Sequence, residues 1–136
     1  MNVRLHPGRL LLALAVALPA GLAHAQSSDA TPTFIRQDAF AGASGETVYG
    51  VICRGCHMAD GGGATGAGSY PALRGNPALT GSAYVAITVL QGRGGMPGFG
   101  EMLSDEQVAG VVEYVRHHLG NDFPGAITAE EVARLR

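Results

Sequence analysis

Apolar residues in this chain recur at helical spacing, and no region alternates apolar and polar positions as a half-buried strand would. Val108, Val111, Val112, Val115 and Leu119 make one stripe, which predicts a helix over 104–119. Ser104 with Gln107 forms a capping box at its start, Leu103 can staple onto Val108, and Gly120 ends it. Thr128 with Glu131 and Ile127 with Val132 repeat that arrangement and predict a short terminal helix over 128–135. Upstream, Gly45, Val48, Tyr49 and Ile52 follow helical spacing behind an N-cap at Ser44. Tyr84, Val85, Thr88, Val89 and Leu90 follow a cap at Ser82 and stop at Gly92. Residues 61–68 read as flexible loop, and Tyr70-Pro71-Ala72-Leu73 as a stiffer segment with room for one helical turn. The fold class is all-α.

The apolar run over 10–18 differs in kind from these stripes. Arg4 and Arg9 precede it, Pro19 and Gly21 break it, and Ala23-His24-Ala25 presents small residues for cleavage. That layout predicts a secretory signal peptide over 1–25, and the run is too short to span a bilayer. Residues 26–43 then form an N-terminal extension, and 44–136 a domain with a short C-terminal helical tail. No second long apolar run follows, so no membrane span is expected in the mature chain.

Loss of Arg4 and Arg9 with the leader leaves seven arginines against eleven acids, and the chain has no lysine. Nucleic acid and anionic membrane surfaces call for clustered cations, so neither is an expected partner. With no tryptophan and 21 glycines, so short a chain buries little apolar surface. A domain of that kind usually needs a metal, disulfides or a cofactor to complete its core.

Its two cysteines stand together in Cys53-Arg54-Gly55-Cys56-His57. A disulfide across that spacing would close a tiny loop and constrain very little chain. CxxC followed directly by His is the attachment pattern of c-type haem: two thiols on one helical turn form thioethers to the haem vinyl groups, and the next imidazole meets the iron. A zinc site would need two further ligands, for which His117 and His118 are the spare mature-chain histidines. A redox dithiol would place CxxC after a strand, and none precedes it here. The expected cofactor is one covalently bound haem c, held by Cys53, Cys56 and His57.

Haem iron in electron carriers commonly takes a Met sulfur opposite the His. Met1 leaves with the leader, and Met58 adjoins His57 on its own side of the ring. Met102 precedes a helix start and reads as a packing residue. Met96 lies in Gly92-Arg93-Gly94-Gly95-Met96-Pro97-Gly98-Phe99-Gly100, a segment too rich in Gly and Pro for helix or strand. It is the expected sixth ligand, with His117 or His118 the less favoured alternatives. An open iron site would instead need a distal polar group, for which Arg93 and Gln91 are available.

Taken in order, these motifs resemble the class I cytochrome c family over 44–120. The resemblance implies a cytochrome c fold of three to five short helices wrapped around one haem. It also implies that the first and last helices cross closely, with Gly45 at the small position, Tyr49 on the same face and Tyr114 at the aromatic one. By the same likeness Pro71 offers its carbonyl to the proximal imidazole, and Leu73 packs on the haem. The family's best-known shuttles surround the haem edge with lysines; here Arg54 and Arg93 are the cations available, so docking would rest more on an apolar patch of Met58, Ala59, Pro97 and Phe99, or on a permanent complex.

Tyr49, the Tyr70-Pro71-Ala72-Leu73 segment, Leu103-Ser104-Asp105 and Ile127-Thr128-Ala129 are more narrowly similar to cytochrome c subunits of periplasmic dehydrogenases. That similarity implies an electron-transfer protein of the periplasm, not an enzyme. Its donor would be a dehydrogenase with a quinone-type, flavin or molybdenum cofactor, and its acceptor a terminal oxidase or another cytochrome.

Overall fold

Gly45 and Gly110 are the two small residues that let the first and last long helical segments touch backbone to backbone. In the computed structural model of the chain, which describes residues 40–136, a Cβ built on Gly45 would collide with the Gly110 carbonyl. The expected signal peptide and all but the last residues of the 26–43 extension lie outside the described residues. Ser44 caps α1 (Gly45–Val48), its side chain accepting from the Thr47 N–H, as the sequence predicts. The chain then passes without a break through a π-helical turn (Tyr49–Cys53) into α2 (Arg54–His57). Met58 ends the segment abruptly at φ 65° and ψ 162°, a region that glycine normally occupies.

Residues between α2 and the next helix are mostly loop. They include a hairpin of two two-residue strands, β1 (Ala64–Thr65) and β2 (Ser69–Tyr70), with Ala64 opposite Tyr70. The expected helical turn falls not at 70–73 but at Pro77–Thr80, where the Asn76 side chain accepts from the Ala78 N–H and Pro77 supplies the first-turn φ. Next comes α3 (Ser82–Gln91). Its cap is Gly81, with Ser82 already inside the helix, so the expected hydroxyl cap is absent there. Gly92, at φ 77°, ends α3 as anticipated.

The capping box of Ser104 and Gln107 starts α4 (Asp105–His117), and that of Thr128 and Glu131 starts α5 (Ala129–Ala133). Val108, Val111, Val112 and Val115 are buried along one face of α4, together with Leu103 from its staple position. This stripe receives α1, α3 and α5, with α1 packed most extensively. Phe40, which the sequence assigns to the extension, is buried in the same core, and the Gln107 side-chain amide donates to its carbonyl at 2.7 Å.

Three polar side chains tie loops to this frame. Arg116, only 1% exposed, donates to the carbonyls of Leu79, Thr80, Pro124 and Gly125, and its guanidinium also lies 3.7 Å from the Glu113 carboxylate one helical turn earlier. Asn121 accepts from the Gly75 N–H at 2.7 Å and donates to the Leu73 and Val115 carbonyls at 3.0 and 2.8 Å. Arg136 reaches the Gly100 and Leu103 carbonyls and the Asp105 carboxylate, tying the segment after α5 to the start of α4.

Replacing Gly45 with Ala should cost at least about 2 kcal/mol in denaturant unfolding, because the clash is with backbone and not with a flexible side-chain end. Gly110→Ala meets only the Gly45 N and Cα at 3.4 and 3.5 Å and should cost clearly less; equal losses would contradict this crossing. A second expectation concerns Tyr49, whose hydroxyl donates to the Met58 carbonyl at 2.7 Å. Burial above all, then Cys53, Tyr114 and Asp60, push its pKa from 10.0 up to about 12. The folded state therefore holds this proton more tightly than the unfolded state. Its contribution is full below about pH 10 and is lost as pH rises toward 12. Tyr49→Phe should abolish that part of the alkaline loss of stability, read from unfolding midpoints between pH 9 and 12.

Candidate functional site

The CxxCH residues lie where two helical geometries join. Cys53 closes the π-helical turn and Cys56 stands in α2, so the thiols are separated by a change of helical register and not by one regular turn. Both are free thiols; Cys53 is half-buried and Cys56 exposed. Burial first, and then the neighbouring Cys56, push the Cys53 thiol up to about 11, which keeps it protonated at neutral pH.

His57, at the end of α2, is buried, and its ring is tied by Nδ1 to the Pro71 carbonyl at 2.9 Å. A carbonyl can only accept, so Nδ1 carries a proton and Nε2 is the ring nitrogen left to meet a metal. The sequence likeness assigns that role to Pro71, and the structure puts the carbonyl there. Gly63 makes the approach possible, since a Cβ there would strike the backbone of Tyr70, Pro71 and Ala72. Gly63 itself donates its N–H to the His57 carbonyl at 3.2 Å.

Leu73 follows, its N–H on the Gly61 carbonyl at 2.8 Å and its own carbonyl held by Asn121 at 3.0 Å. Arg74 adds an ion pair with Asp60 at 2.6 Å and donates to the Asp60 carbonyl, closing the loop that leaves α2. The Gly62 N–H, and after it Arg74, hold the exposed Asp60 carboxyl below its ordinary range. Pro71 and Leu73 are therefore positioned from α4's end through Asn121, a residue the sequence reading did not single out. Polar residues just after a helix carry no periodic signal by which it could have been found.

Met96 sits in a tight turn in which Arg93 and Met96 exchange both backbone hydrogen bonds at 3.0 Å, with Gly94 at φ 59°. Its side chain is half-buried and packs against the core, as do Ile52, Cys53, Leu73 and Phe99. Met102, the rival sulfur, is also half-buried and directly precedes the buried Leu103. His117 lies in α4's last turn with Nε2 on the Glu113 carboxylate at 3.2 Å, and His118 stacks on Tyr114 with ring centroids 4.8 Å apart. Tyr114 in turn packs on Tyr49 at 5.3 Å, so the aromatic contact of the helix crossing is with Tyr49, while Gly45 meets Gly110.

Among the described residues no three His, Cys, Asp or Glu side chains gather as a metal cluster, so the zinc arrangement has no donor set. The donors do fit haem c. Two free thiols flank a buried imidazole with Nε2 available, and half-buried apolar side chains, including a thioether, border the same core. No described helix is long and apolar enough to cross a membrane.

Comparison with known proteins bears on the same residues. The cytochrome c subunit of alcohol dehydrogenase (quinone) from Gluconacetobacter polyoxogenes is 34% identical over 105 residues, covering 68% of this chain and 22% of that protein. Its counterpart from Gluconobacter oxydans (strain 621H) is 31% identical over 133 residues, covering 88% and 27%. The gluconate 2-dehydrogenase cytochrome c subunit of Pantoea cypripedii is 36% identical over 105 residues, covering 68% and 24%. The chain thus spans roughly a quarter of the length of these relatives. Residues 40–115, from the buried Phe40 to the last valine of the α4 stripe, match the family described as cytochrome C oxidase, cbb3-type, subunit III, and the chain belongs to this family of cytochrome c domains.

Proposed function

We propose that this chain is a periplasmic electron carrier with a single haem c, taking one electron at a time from a quinone-type dehydrogenase and passing it to a terminal oxidase or another cytochrome. The observation that carries the reading is the His57 imidazole, tied by Nδ1 to the Pro71 carbonyl directly after the two free thiols. The names of the relatives, cytochrome c subunits of alcohol and gluconate dehydrogenases, favour a dehydrogenase as donor. The secretory layout of residues 1–25 favours the periplasm.

Bound haem supplies an iron that gains and loses one electron. Cys53 and Cys56 would hold the ring through thioethers, with His57 Nε2 and the Met96 sulfur as donors to the iron. The Pro71 carbonyl orients the imidazole and makes it a stronger donor, which favours the ferric state. Ile52, Leu73 and Phe99, half-buried against the core, would supply apolar cover that limits water near the iron and tunes its potential.

Visible spectra of the protein matured in the periplasm test the assignment. A sharp reduced alpha band retained after acid-solvent extraction, with a far-red charge-transfer band in the ferric form, is expected. Met96→Ala should abolish the far-red band and lower the midpoint potential; an unchanged ferric spectrum in that variant would rule out Met96 as ligand. Gly63→Ala should push the Pro71 carbonyl off line and weaken its bond to His57. Its midpoint potential should rise by roughly 20–40 mV, the one-electron equivalent of about 0.5–1 kcal/mol. A potential equal to that of the parent protein would deny the carbonyl any such influence.

A further inference from the structure

The turn that carries Met96 has little to hold it on its own. It is a two-residue reversal through Gly94 and Gly95, closed by one reciprocal pair of backbone bonds between Arg93 and Met96, and Arg93, Gly94, Gly95 and Pro97 are exposed. Glycines lose more freedom on ordering than any other residue, so such a turn is costly to fix. Its C-terminal side is tied firmly to α3. Phe99 and Gly100 donate to the Val89 and Leu90 carbonyls at 2.8 and 3.0 Å. The chain there lies so close that a Cβ on Gly98 would strike the backbone of Leu90 and Gln91.

On the N-terminal side the chain leaves α3 directly, with the Gly92 N–H on the Thr88 carbonyl at 2.9 Å, and side chains add a further tie. The Arg93 guanidinium lies 5.6 Å from the Tyr84 ring centroid and donates to the Tyr84 hydroxyl. Tyr84 belongs to the first turn of α3 and is 40% exposed, so its ring and hydroxyl are open to the Arg93 side chain. The guanidinium sits at the hydroxyl end of the ring, where arginine's fixed fork of donors presents an N–H to the Tyr84 oxygen. Because Arg93 is the backbone partner of Met96, immobilising Arg93 on α3 immobilises the strand against which Met96 is paired.

We propose that Tyr84 and Arg93 are positioning residues for the Met96 turn: together they hold it closed on α3 and so set how readily the Met96 sulfur gives way to another ligand. The inference rests on the His57/Met96 reading above and adds to it a control on the lability of the sulfur. Neither residue touches the iron in this account; both act through the backbone of the turn.

The test uses the haem-loaded ferric protein and added imidazole as the competing ligand, followed by loss of the far-red band. Arg93→Gln and Tyr84→Leu should each raise the apparent imidazole affinity and the rate of its binding about five- to ten-fold, the range expected for one exposed hydrogen bond from a cation. Tyr84→Phe keeps the ring and should give an intermediate increase. The double variant Tyr84→Leu/Arg93→Gln should do no more than either single change, since the two side chains form one contact. Unfolding midpoints should move little, because both residues are partly solvent-exposed, and this separates a local opening from a general loosening. Imidazole affinities equal to the parent's, or effects that simply multiply in the double variant, would overturn the clamp while leaving Met96 ligation intact. A parent protein without the far-red band, unchanged by Met96→Ala, would overturn the ligand assignment, and the clamp with it.

Discussion

Two helices of this fold meet without side chains between them. Gly45 and Gly110 provide that contact: the backbones of α1 and α4 approach so closely that one added methyl group would strike a carbonyl. Everything else is hung from the crossing. It fixes the direction in which α1 runs into the π-helical turn and α2, and hence where Cys53, Cys56 and His57 stand. It also turns the valine stripe of α4 toward α3 and α5. Tyr49 completes the joint, packing its ring on Tyr114 and placing its hydroxyl on the Met58 carbonyl, one residue beyond the histidine.

With so much of the chain in glycine-rich loops, apolar burial cannot order it alone. Polar side chains take over that work by collecting backbone carbonyls. Arg116 gathers four, from the turn before α3 and from the segment before α5, and Asn121 secures the stretch from Leu73 to Gly75. A buried cation is costly unless it is paired and hydrogen-bonded; here the Glu113 carboxylate stands 3.7 Å away and carbonyl dipoles satisfy the guanidinium fork at four points. The outcome is a proximal loop whose geometry is inherited from α4. The Pro71 carbonyl can then face His57 with little freedom of its own.

The helices were legible in the sequence because their signals are local. Capping boxes at Ser104 and Thr128, the Ser44 cap and the glycine after α3 depend on residues three or four apart, and each sits where the spacing placed it. The CxxCH motif was legible for the same reason. Ser82 was misread as a cap because Gly81 lies extended before it and no hydroxyl is required. The π-helical register at Tyr49–Cys53 leaves no mark in hydrophobic periodicity, since Val48, Tyr49 and Ile52 fit either winding. The short hairpin at Ala64–Tyr70 escaped because two-residue strands are too brief to alternate. Arg116, Asn121, Gly63 and the pairing of Arg93 with Tyr84 escaped for a different reason. Each acts on residues distant in the chain or on backbone whose path only the fold defines. Pro71, by contrast, was placed by family likeness and not by any pattern within the sequence.

Arg136 has a practical meaning for how the protein could be attached to other things. By holding the carbonyls of Gly100 and Leu103 and the carboxylate of Asp105, its side chain joins the segment after α5 to the end of the loop that carries Met96. A fluorophore placed on that segment would therefore report on that loop and not on the far side of the fold. Its emission would be a local gauge of whether that side is covered by a partner.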